Sequence, residues 1–187
     1  YALIALSMGK KVIAVEPSHR NTNYLLRNIS DNGWSHMAEV YPLAIGASCG
    51  IKELWGGGLG ASLVEGWAGI PPSYKNIVPV VTLDRLLSDY IDKKRSLIVV
   101  DVEGAELSVL EGAVKTLQND PKPVWLVEIV TTLHQPNGIQ INPNLKATFE
   151  QFFSLGYKAY YADRINEMVH PTEVGMVANG DKDFSCY

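Results

Sequence analysis

Short unbroken apolar runs alternate along this chain with segments in which apolar residues recur every three or four positions. Residues 1–8 suit a helix that Gly9 terminates, and the run VIAV at 12–15 is a buried strand closed by Glu16-Pro17. Ser18 or Asn21 caps the next helix, whose stripe of Leu25, Leu26 and Ile29 stops near Asp31-Asn32-Gly33. A second strand is expected over 39–45. Residues 47–73 hold so many glycines that only short strands and mobile loops are expected there. Residues 78–81 read as an edge strand, because Pro79 removes a ladder donor; Thr82 then caps a helix carrying Leu83, Leu86, Leu87 and Ile91. After the run LIVV at 97–100, Leu107, Leu110, Val114 and Leu117 predict one amphipathic helix over 105–117, ended by Pro121 and Pro123. A strand over 124–129 follows. Asn142-Pro143 opens a helix with Leu145, Phe149 and Phe152 inward, closed by Gly156, and further strands are expected at 157–161 and near Val174 and Phe184.

Apolar strands alternating with amphipathic helices imply an α/β fold, a doubly wound and mostly parallel sheet with helices on both faces, built as a single domain over 1–187. Sixteen basic against 20 acidic residues give a net charge of −4, and the longest basic cluster, Lys93-Lys94-Arg95, is too short to favour nucleic acid or anionic lipid. No apolar stretch reaches membrane-spanning length, since Glu128 interrupts 124–130. Cys49 and Cys186 suggest neither a disulfide framework nor a zinc site, and a reducing, cytoplasmic setting is the default; two carboxylates with Glu128 could chelate a divalent ion, but nothing in the spacing requires a metal.

Ligands of such folds bind at the carboxyl ends of the strands, which directs attention to Glu16, Ala44, Asp101 and Glu128. Glu16 could accept hydrogen bonds from the two hydroxyls of a ribose, or stand as an ordinary turn acid. In DVEGAE at 101–106, Asp101, Glu103 and Glu106 follow a strand at a helix start, where they would cap the helix or hold a cationic ligand. Glu128 lies inside an apolar run and needs a partner or a ligand. His134, soon after, is a candidate general base or a solvated loop residue. The hydrolase elbow, zincin, P-loop and paired-CxxC motifs are absent from the sequence.

AVEP at 14–17, Asn28 and Asn32, Thr82-Leu83-Asp84, DVEGAE at 101–106, VLEGA at 109–113, and Pro123 followed by Glu128 together resemble the FkbM family of methyltransferases over roughly 12–161. The resemblance implies a Rossmann-like fold, S-adenosylmethionine as cofactor, and hydroxyls of a small molecule or saccharide as methyl acceptors. It implies that Glu16 binds the ribose, with Pro17 beside it, that Leu43 and Ala44 border the adenine, and that Asp101 lies near the methionine end. Glu103 and Glu106 would shape the acceptor side or the helix cap, and a carboxylate would take the hydroxyl proton. It also implies an opening strand and glycine turn, expected upstream of residue 1, between the strands that end at Glu16 and Asp101. Two other readings compete: a nicotinamide-dependent oxidoreductase, since Glu16 would serve either ribose, and a degenerate Rossmann-like domain retained as an interaction module.

Overall fold

The computed structural model of the chain describes residues 1–90, 95–164, 166–184, 186 and 187. Its elements, in order, are α1 (Ala2–Ser7), β1 (Val12–Val15), α2 (His19–Asp31), β2 (Ala38–Tyr41), β3 (Ala44–Ile45), β4 (Gly50–Trp55), β5 (Lys75–Val81), α3 (Leu83–Leu86), β6 (Leu97–Val100), α4 (Glu106–Glu111), α5 (Val114–Leu117), β7 (Val124–Val127), α6 (Leu145–Phe153), β8 (Ala159–Tyr160), β9 (Met168–Val169) and α7 (Pro171–Asn179). Two 3-10 turns, Gly58–Gly60 and Trp67–Gly69, lie between β4 and β5.

The fold is α/β, with parallel pairs β1–β2 and β6–β7, a three-stranded sheet in the order β3-β5-β4, and the antiparallel pair β8–β9. No ladder joins β1 to β6 among the described residues, so each parallel pair stands as a separate two-stranded sheet. One core cluster gathers Ile45, Leu83, Val100, Val109, Leu110, Ala113, Leu117 and Phe152; a second packs Leu145, Phe149, Val174 and Val177 against Ile129, Tyr161 and Val169. No described helix is long and apolar enough to cross a membrane.

Several local expectations need correction. The strand expected over 39–45 is two strands: Pro42 interrupts the ladder, Leu43 N–H turns back to Tyr41 O at 3.0 Å, and the halves join different sheets. β5 is the middle strand of its sheet rather than an edge. The two-residue β3 reaches only Val80 and Val81, so at Pro79 the sheet is still two strands wide and the missing donor disrupts no ladder to β3. In α2, Thr22 and Ile29 are buried while Leu26 is 47% exposed, so the inward face is offset from the stripe of leucines. Ser18 is the N-cap by position, yet its side chain makes no capping bond. The helix opened by Thr82 is a single turn over Leu83–Leu86, capped by Thr82 Oγ1 accepting from Arg85 N–H at 3.2 Å; Ile91 lies outside the described residues, as do Lys93 and Lys94. The strand expected near Val174 is helix α7, with Pro171 in its first turn and Val174 and Val177 buried three apart. Near Phe184 the described residues form a single antiparallel bridge, Val130 with Cys186.

The helix expected over 105–117 breaks at Gly112-Ala113 into α4 and α5. A Cβ on Gly112 would press on the Gly46 carbonyl oxygen, 3.1 Å from its carbon and 3.3 Å from Thr82 Cα. Backbone cannot swing aside as a side chain can. Gly112→Ala is therefore expected to destabilise the fold by about 2 kcal/mol, read as a lower urea midpoint with an unchanged slope; a change within error would mean the two backbones separate freely. The new start at α5 is capped from a distance: Asp84 accepts from Lys115 N–H at 2.9 Å and from Thr116 N–H and Oγ1–H at 2.8 Å each.

Candidate active site

At the end of β1, Glu16 N–H donates to Tyr41 O at 3.1 Å, which carries the β1–β2 ladder one residue past the strand. One carboxylate oxygen of Glu16 accepts from Ser18 N–H at 2.7 Å; the other makes no hydrogen bond among the described residues. Pro17, Ser18, His19 and Arg20 line a cleft of about 470 Å³, faced by Pro42, Leu54 and the Gly57-Gly58 and Tyr74–Pro79 segments. Asn21 fastens its glycine wall, donating from Nδ2 to Gly58 O at 2.9 Å. Leu43 instead lines a second hollow with Tyr41, Val81 and Leu86, and Ala44 is 4% exposed, packed with Leu54, Val78 and Val80.

At the ends of β6 and β7 the structure brings Asp101, Glu103, Glu106 and Glu128 into one electrostatic group. Glu103 and Gly104 both have left-handed backbone, φ +55 and +89, so the chain doubles back directly before α4. Glu106 is 3% exposed, and its carboxylate accepts from Gly104 N–H at 2.9 Å. Burial, opposed by that bond and reinforced by the charges of Glu103 and Asp101, pushes its carboxyl up to about 7. Glu128 stands just after β7, its N–H donating to Val100 O at 3.0 Å. Desolvation foremost, then the charges of Asp101 and Glu103, raise its carboxyl above the usual range, and Cys186 Sγ approaches its Oε1 at 3.8 Å. Glu128, beside Cys186, makes the thiol less acidic, although burial is the larger cause. No hydrogen bond or ion pair joins Glu16 to this group among the described residues. Nor do three His, Cys, Asp or Glu side chains among them converge in an arrangement suited to a metal ion.

The glycine-rich stretch, expected to be short strands joined by mobile loops, contains strand β4, and its loop residues Ser62 and Trp67 are anchored, each 1% exposed. Ser62 Oγ–H donates to Glu103 O at 2.5 Å and Trp67 Nε1–H to Glu103 Oε2 at 2.8 Å. His134 is exposed with φ +62, and its ring lies 6.1 Å from the Trp67 indole. Local pattern gives no sign of Trp67 as a site residue, because its partner lies 36 positions away.

Comparison with known proteins adds to this geometry. No curated protein matches the chain. A solved structure, methyltransferase FkbM from Methylobacillus flagellatus KT, is similar at 22% identity with a TM-score of 0.45, over 71% of this chain and 29% of that one. The chain thus spans less than a third of that protein's length. The family described as methyltransferase FkbM domain matches residues 1–159, a region that contains Glu16, the acidic turn, Glu128 and His134. With that much of its length matched, the chain belongs to the FkbM methyltransferase domain family.

Proposed function

We propose that this domain transfers a methyl group from S-adenosylmethionine to a hydroxyl of a small polar molecule or saccharide. The observation that carries the reading is the acidic group at the ends of β6 and β7, in a chain of this family. A cluster of negative charges with little counter-charge suits a cationic cofactor.

The residues fit the cofactor. Glu16 keeps one carboxylate oxygen for ribose hydroxyls, while the other stays on Ser18. The cleft beside Pro17 is within the size range of nucleoside-sized ligand sites. Its adenine side would be bordered by Pro17 and Pro42, which line the cleft, whereas Leu43 lines the other hollow and Ala44 is buried behind the wall. Asp101 would face the methionine end. When bound, S-adenosylmethionine supplies a methyl group activated by a sulfonium charge. Glu128 would take the proton of the acceptor hydroxyl as its oxygen bonds to the methyl carbon and the carbon–sulfur pair returns to sulfur. Its raised proton affinity brings it closer to the range in which a carboxylate works as a general base. His134, beyond Trp67, is a second candidate for that proton. We further read the two parallel pairs as parts of one doubly wound, Rossmann-like sheet.

Calorimetric titration of S-adenosylmethionine and S-adenosylhomocysteine, with NADH as control, tests the reading. Binding of the nucleosides and not NADH is expected, and Glu16→Ala should weaken it about ten-fold, the loss of one charge-assisted contact. Unchanged affinity in that variant would remove the ribose assignment. Binding of NADH alone would favour the oxidoreductase, and no binding at all, including by a longer form of the protein, the interaction module.

A further inference from the structure

One side chain ties the glycine-rich segment between β4 and β5 to the acidic turn. The Trp67 indole N–H donates to Glu103 Oε2 at 2.8 Å, and the six-membered ring covers Gly104 so closely that an added Cβ would stand 2.7 Å from Cε3 and 2.9 Å from Cη2. On the other flank, Ala68 N–H donates to His134 O at 2.8 Å. Trp67 thus stands where three segments meet: the glycine-rich run, the turn carrying Glu103, and the loop carrying His134.

A partly exposed glutamate ordinarily samples several rotamers, and its charge is spread over them. Here a buried donor fixes one of its oxygens, and Ser62 fixes its carbonyl at 2.5 Å. A phenylalanine would lose the bond and leave part of the indole's space empty, so Glu103→Gln, which keeps the packing, separates the charge-assisted bond from the packing. Glu103 is also one of the two charges that raise both Glu106 and Glu128, so its placement affects the whole group.

We propose that Trp67 is a positioning residue, which holds the Glu103 carboxylate in place and thereby shifts the balance of binding toward the cationic methyl donor relative to the uncharged thioether product. The inference rests on the methyltransferase reading above. A fixed negative charge attracts the sulfonium and has no comparable hold on S-adenosylhomocysteine, so the bond raises the affinity for the donor relative to that for the product.

The test is calorimetric titration of both nucleosides into the full-length wild-type protein, Trp67→Phe, Glu103→Gln and the double variant. Trp67→Phe should lower the ratio of S-adenosylmethionine to S-adenosylhomocysteine affinity by roughly three- to ten-fold, mostly through the donor. Glu103→Gln should do the same, and the double variant should lose no more than either single one. Equal losses for both ligands, or additive losses, overturn the proposal and leave Trp67 a packing residue. If wild-type protein binds neither nucleoside, the methyltransferase reading itself fails and takes this inference with it. Should Trp67→Phe not fold, the indole N–H resonance of Trp67 in wild-type protein answers instead: a shift larger with the cation than with the thioether supports the proposal, and equal shifts overturn it.

Discussion

Replacing Gly104 with alanine is expected to cost about 4 kcal/mol of folding stability, the sum of backbone strain and overpacking. Gly104 has φ +89, where an L side chain is strained before any neighbour is considered. The added methyl would then drive into the Trp67 ring, which at 1% exposed is enclosed and has no free side to move to. Any movement that relieves the clash draws the indole N–H away from Glu103. Urea denaturation followed by circular dichroism measures the loss. Gly60→Ala is the control, because nothing lies within 4 Å of a Cβ there, and it should cost less than about 0.5 kcal/mol. A loss below about 1 kcal/mol for Gly104→Ala would show that Trp67 does not cover this turn as described.

Glu106→Gln is expected to raise stability at pH 8 by up to about 3 kcal/mol, and to change it little at pH 5. In the folded protein the carboxyl is pushed up to about 7, while its ordinary value is 4.5, so between those values the folded state binds more protons than the unfolded state. Stability contributed by the neutral acid is thus complete below pH 4.5 and is lost as pH rises through 7. Glutamine keeps an oxygen for Gly104 N–H without acquiring charge. Unfolding free energies measured from pH 4 to 9 should therefore slope downward in wild-type protein and flatten in the variant. Parallel curves for the two proteins would mean that Glu106 is ionised throughout.

The positions of the strands were the most legible part of this fold, since VIAV, LIVV and the first four residues of VWLVEI are apolar runs of strand length; they are less buried than such runs imply, because these strands are mostly half-buried and Leu97 and Val124 are exposed. Misreadings arose where a distant contact decides. The 3.6-residue rhythm runs on through Gly112, although the helix breaks there, where Gly46 packs against the backbone and Asp84 N–H donates to Gly112 O. Around Val174 the β-branched composition suggests a strand, although Pro171 at the start and Gly180 at the end are helix punctuation. The strand-end carboxylates could be found from sequence because charge is conspicuous beside an apolar run. Trp67 could not, because a tryptophan among glycines carries no period, and its burial depends on Gly104 far along the chain.

Asp84 and Gly112 exchange bonds across the two helix starts: Asp84 N–H donates to Gly112 O at 2.9 Å, while the Asp84 carboxylate caps α5 just beyond that glycine. The TLD and VLEGA motifs are therefore one constraint written in two places. Neither reaches the carboxylate group, so together they mark ancestry of the scaffold and carry no information on the chemistry of the site. A descendant that lost the chemistry but kept the scaffold would retain both words, and one that lost either would be expected to lose its partner.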